Sequence, residues 1–72
     1  MVYTDYDRAL YYIYRSDWDN LLVLMVRTGD HLLSKKIEHF LHACSFPNPY
    51  STVEKTFYTL FDYIEHANSL NA

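Results

Sequence analysis

A chain of 72 residues has room for a single domain, 1–72, and one so short buries only about 60% of the surface it exposes when unfolded, so its core needs a supplement. With Cys44 as its one cysteine, no intramolecular disulfide can supply it, and a lone thiol fits a reducing cytoplasm. Net charge is −3, from 6 Lys+Arg against 9 Asp+Glu, and no basic run exceeds Lys35-Lys36, which argues against direct binding of a nucleic-acid backbone.

Half of the residues are hydrophobic and 18% are aromatic, with 8 Tyr, 4 Phe and 1 Trp against 1 Gly and 2 Pro. Each aromatic side chain covers on the order of 150–250 Å², so the set exceeds what a small core encloses and points to a surface that another protein covers. The longest apolar run, Leu21 to Val26, is far below the roughly 20 residues of a membrane span. Asp5 and Asp7 stand where an export signal needs positive charge. With Met1 in place and a polar tail from Asn68, the chain reads as a complete small cytoplasmic protein.

Four helix starts follow one another. Thr4 with Asp7 opens a helix over about 5–15, whose inner face holds Tyr6, Ala9, Leu10 and Ile13 while Asp7, Arg8 and Arg15 fall opposite. Ser16 with Asp19 opens a second over about 17–28, and Gly29 is placed for a left-handed cap at its end. Trp18, Leu21, Leu22 and Met25 form its main stripe, but Val23, Leu24 and Val26 add apolar side chains almost all round. Such a helix is central or is covered by another subunit.

Asp30 caps a third helix over about 31–44, with Leu33, Ile37, Phe40, Leu41 and Cys44 on one face. Pro47 and Pro49 force a loop, since neither donates a backbone hydrogen bond and each restricts the residue before it. Ser51 with Glu54 then makes a capping box for a fourth helix over about 52–67, burying Val53, Phe57, Leu60, Phe61 and Ile64. The competing reading is an N-terminal β-hairpin of Leu10 to Tyr14 with Leu21 to Val26, giving an α+β fold. Good helix formers and the absence of an Asn-Gly or Asp-Gly turn favour helices.

Chemistry is sparse. His31, His39 and His42 share the polar face of the third helix with Glu38, but spacing fixes only pairs, His39 with His42 and Glu38 with His42, where a metal needs three or four convergent ligands. Asp62 with His66 repeats the pair on the fourth helix without the Glu-x-x-His code of a di-iron bundle. Cys44 falls on an apolar face and reads as a small buried hydrophobe. No glycine-rich phosphate loop, nucleophile elbow or zinc spacing occurs, so neither an enzyme nor a cofactor or metal is expected.

Aromatics on the polar sides say more. Tyr11 and Tyr12 fall with Arg8 and Arg15, and Tyr58 falls among Glu54, Asp62 and Glu65. Tyr and Arg are enriched at protein interfaces, which marks Arg8, Tyr11, Tyr12, Arg15, Tyr58 and Asp62 as partner-binding. The expectation is an all-α, compact bundle of four short helices that self-associates as a homodimer through Val23, Leu24 and Val26. Its function is that of a non-catalytic protein-binding regulator or inhibitor, by composition resembling phage or mobile-element proteins that block a host CRISPR, restriction or transcription complex. The alternatives are a small bacterial structural or regulatory subunit completed by a partner and, behind it, a metal- or ligand-binding helical module using the histidine face.

Overall fold

The structure, a computed structural model, describes residues 4–46 and 52–71. It contains four helices, α1 (Asp5–Tyr14), α2 (Trp18–Arg27), α3 (His31–Ser45) and α4 (Val53–Asn71), and no strand among the described residues, so the hairpin alternative is set aside. Each helix packs on the next in sequence, and α4 returns to α1 to close the bundle.

The capping chemistry explains where the helices begin. At α1, Thr4 Oγ1 accepts the Asp7 N–H at 3.2 Å while the Asp7 carboxylate accepts the Thr4 N–H at 3.3 Å, the expected reciprocal box. At α2 the cap is Asp17 instead of Ser16, and the Asp17 carboxylate accepts the Asn20 side-chain amide at 2.6 Å. Ser16 belongs to the end of α1. Its φ is 55°, its N–H donates to Ile13 and the Asp17 N–H reaches back to Tyr12, so it occupies the left-handed position of a Schellman motif. Gly29, expected to fill such a position, has no positive φ, and α2 stops in extended backbone at Thr28. Ser51 lies outside the described residues. Thr52 caps α4, its hydroxyl oxygen accepting the Lys55 N–H at 3.1 Å.

One core runs through the bundle: Ala9 and Ile13 from α1, Leu21 and Leu24 from α2, Leu33, Ile37 and Phe40 from α3, Leu60 and Ile64 from α4. Tyr6, Tyr12, Phe57 and Tyr63 lie half-buried against it and roof a core too small to enclose them. Phe40 gathers an aromatic group at one end, with the Trp18 ring edge-on at 5.8 Å and the Phe57 ring at 6.0 Å.

Several expected faces turn. On α2, Leu24 is buried and Leu22 is 48% exposed, the reverse of the expected stripe, because α2 packs between α1 and α3 and so buries the sector that contains Leu21 and Leu24. Cys44 is exposed and Ala43 buried. The cause is the length of α2. It runs antiparallel to α3, with Ser34 Oγ donating to the Met25 carbonyl and Trp18 against Phe40, so α2 begins opposite Phe40 and Cys44 lies a turn beyond its cover. On α4, Val53 is exposed and Thr56 takes the inner position. The Thr56 hydroxyl donates to the Thr52 and Val53 carbonyls, so its burial leaves no polar atom unpaired.

Candidate partner-binding face

A carboxylate at the corner between α2 and α3 sets the geometry of the polar side. Asp30 Oδ1 accepts the Leu32 and Leu33 N–H groups at 3.0 and 3.1 Å as the cap of α3. Its Oδ2 accepts two phenols, Tyr6 from α1 in a short hydrogen bond and Tyr63 from α4 at 2.6 Å. Burial alone would raise the Asp30 pKa, but the Tyr6 and Tyr63 phenols with the two backbone donors outweigh it and hold the carboxyl below its ordinary value. Both phenols move the other way. Tyr63 is pushed far up by its hydrogen bond to Asp30, then by burial and the carboxylate charge, and Tyr6 is raised for the same reasons in the same order. The two rings meet edge-on at 6.2 Å, and Lys36 Nζ stands 5.6 Å from the Tyr63 ring centre.

Beside this corner a second polar link fixes α1 on α2. The Thr28 hydroxyl donates to Asp5 Oδ2 at 2.9 Å, and Arg8 stands 3.6 Å from Asp5 Oδ1. Between the two helices opens a cleft of about 270 Å³. Asp5, Arg8 and Tyr12 line it from α1 at i, i+3, i+7, and Asn20, Val23, Leu24 and Arg27 from α2 at i, i+3, i+4, i+7. Arg8 from α1 and Arg27 from α2 thus line one cleft, whose exposed lining is more polar than apolar. The carboxylate there is already engaged, while Arg27 has no ion-pair partner among the described residues.

Of the expected partner-binding residues, Arg8 and Tyr12 meet in this cleft. Tyr12 is half-buried, contrary to the exposed position expected of it, because its ring also packs on the core. Tyr11 is 55% exposed, its ring edge-on to Tyr12 at 5.8 Å and the Arg15 guanidinium 5.1 Å from its centre, so the three continue the surface along α1. Tyr58 and Asp62 are exposed on α4 and take no part in the cleft. Of the expected self-association residues, Val23 and Val26 are 47% and 74% exposed, whereas Leu24 is 7% exposed and belongs to the core. Arg27 and Asn20 were missed. Their signal was the seven-residue spacing that puts both on the α1 side of α2, which becomes readable only once the order of packing is known.

The histidines stay apart. His31, His39, His42 and His66 are exposed, His42 lies against the Phe46 ring at 5.1 Å, and among the described residues no three His, Cys, Asp or Glu side chains cluster as metal ligands. Partial burial pushes the Cys44 thiol up, away from the reactive thiolate. Among the described residues no helix is long and apolar enough to cross a membrane.

Comparison with known proteins agrees over nearly the whole chain. Residues 1–71 match the family model described as YhdB-like protein. The chain is 63% identical over 70 residues to the uncharacterized protein YhdB of Bacillus subtilis (strain 168), an alignment covering 97% of this chain and 88% of that one. No solved structure matches. The four-helix chain belongs to the YhdB-like protein family.

Proposed function

We propose that the chain is a non-catalytic regulator that works by binding another protein, and that the cleft between α1 and α2 takes an acidic segment of that partner. The observation that supports this reading is the convergence of Arg8 and Arg27 on one cleft in a chain of net charge −3. Asn20 adds an amide, and Val23 and Leu24 add apolar side chains to a mostly polar lining, a mixture of charge and apolar contact that interfaces use. Tyr11 and Arg15 extend the contact along α1, and the face of Tyr58 and Asp62 offers a second, acidic one.

The similarity to a Bacillus subtilis protein points to a bacterial setting, and the second form of this reading makes the chain a small structural or regulatory subunit completed by its partner. The test is capture from a bacterial lysate by the tagged chain, compared with an Arg8→Glu, Arg27→Glu double variant. A stoichiometric partner held by the parent chain and released by the double variant supports the cleft. No partner, or one that the double variant retains in full, overturns it. If the captured complex is a restriction, CRISPR or transcription machine that loses activity when the chain is added, binding takes the blocking form instead.

A further inference from the structure

The Thr28 hydroxyl stands between the cleft and the Asp30 corner and bonds to both. Its backbone is fixed first: Thr28 ends α2 in extended backbone, with its N–H donating to the Leu24 carbonyl at 2.8 Å. Thr28 Oγ1 then accepts the Asp30 N–H at 3.3 Å, and its own proton goes to Asp5 Oδ2 at 2.9 Å. A hydroxyl has one proton to give, and this one is given to the carboxylate that lines the cleft. Arg8 competes for the same carboxylate, but across 3.6 Å and with a side chain 54% exposed. A hydrogen bond of ordinary length to a charged acceptor outweighs a long, exposed ion pair. Thr28 therefore decides where Asp5 sits. Arg8 is left loosely paired, beside an Arg27 that has no ion-pair partner among the described residues.

We propose that Thr28 is the positioning residue of this cleft: by holding the Asp5 carboxylate, it keeps the Arg8 guanidinium available to a carboxylate of the partner. The inference rests on the reading of the cleft as a site for an acidic segment, and it adds how a site that contains its own carboxylate stays open. Asp5 precedes Arg8 by three residues on α1, the spacing at which helical side chains meet. Without the Thr28 hydroxyl, Asp5 closes on the guanidinium as a full ion pair, and an incoming carboxylate has to displace it.

Fluorescence anisotropy of a fluorescein-labelled hexaglutamate peptide at low ionic strength tests this, with circular dichroism reporting the helices of each variant. Thr28→Val removes the hydroxyl at nearly equal volume and is expected to weaken binding about threefold, the worth of the exposed ion pair that Asp5 and Arg8 gain. Thr28→Ser, which keeps the hydroxyl, is expected to bind as the parent does. Asp5→Asn removes the competing charge and is expected to tighten binding about threefold. Adding Thr28→Val to Asp5→Asn should then change nothing, because no carboxylate is left to close on Arg8. That comparison separates positioning from a structural loss, which would weaken binding in both backgrounds. Thr28→Val equal to the parent, Thr28→Ser as weak as Thr28→Val, Asp5→Asn no tighter than the parent, or the same loss in the Asp5→Asn background overturns the inference while the cleft stands. A peptide that the parent does not bind, or that the Arg8→Glu, Arg27→Glu double variant binds equally well, overturns the cleft and this inference with it.

Discussion

Ser16 holds a left-handed backbone with a Cβ attached, while Gly29, free of that constraint, sits in ordinary backbone with nothing within 4 Å of where a Cβ would go. The left-handed region costs a residue with a Cβ about 1–2 kcal/mol, of which glycine recovers part after its own greater entropy loss. Ser16→Gly is therefore expected to stabilise the fold by about 0.5–1 kcal/mol, and Gly29→Ala by about 0.4–1 kcal/mol through the unfolded chain, both read from urea unfolding. Asp30 stands at the opposite extreme. Replacing it with Ala removes the cap of α3 and the shared acceptor of two phenols, a loss of about 2–3 kcal/mol with water partly replacing the bonds at half-buried Tyr6 and Tyr63. The same cluster sets a pH window. The Asp30 pKa is lower in the folded chain than its ordinary 3.8, so its contribution is complete above that value and disappears as pH falls through the folded pKa. Tyr6 and Tyr63 are raised above 10.0, so theirs is complete below that value and disappears as pH rises towards the folded pKa. Melting temperature is expected to be level from about pH 5 to 9 as far as this cluster is concerned, with an alkaline fall that Tyr63→Phe makes shallower.

Among the elements, α2 separates what the sequence states from what it leaves open. Its existence follows from good helix formers and a run of local cap candidates, as it does for α1, α3 and α4, but the exact caps do not: Asp17 stands in place of the expected Ser16, Gly29 takes no left-handed backbone, and α4 runs to Asn71, past the expected end near 67. Which side of α2 faces inward is not local. With apolar residues nearly all round, the buried sector is chosen by the neighbours, and α1 with α3 choose the one holding Leu21 and Leu24 over the one holding Leu22. Leu24→Ala is accordingly expected to cost about 2–4 kcal/mol, and Leu22→Ala well under 1 kcal/mol in a monomer, a contrast that thermal denaturation of the two variants measures. Cys44 shows the same limit, its phase on α3 being right and its cover missing because α2 has already ended. The candidate site was legible in part for this reason. Arg8, Tyr11, Tyr12 and Arg15 share a helix and declare themselves together, whereas Arg27 joins them only through packing.

At the scale of the whole molecule, the order in which contacts can form follows from Asp30 sitting near the middle of the chain. Its phenol partners lie 24 residues before it and 33 after it. The caps and the α2–α3 pairing close over short stretches of chain, but the two phenols reach one carboxylate only when α1 and α4 have both docked, so these bonds belong to the last stage of folding. A late contact is nearly absent from the transition state, and its loss then falls on the unfolding rate. Tyr63→Phe, removing about 1 kcal/mol, is expected to leave the refolding rate within about twofold and to raise the unfolding rate about fivefold in stopped-flow chevron measurements. Slower refolding with an unchanged unfolding rate would place the docking of α4 before the barrier. The shared carboxylate acts on this view as a latch on a finished bundle, setting how long the folded chain persists while leaving the speed of its assembly to α2 and α3.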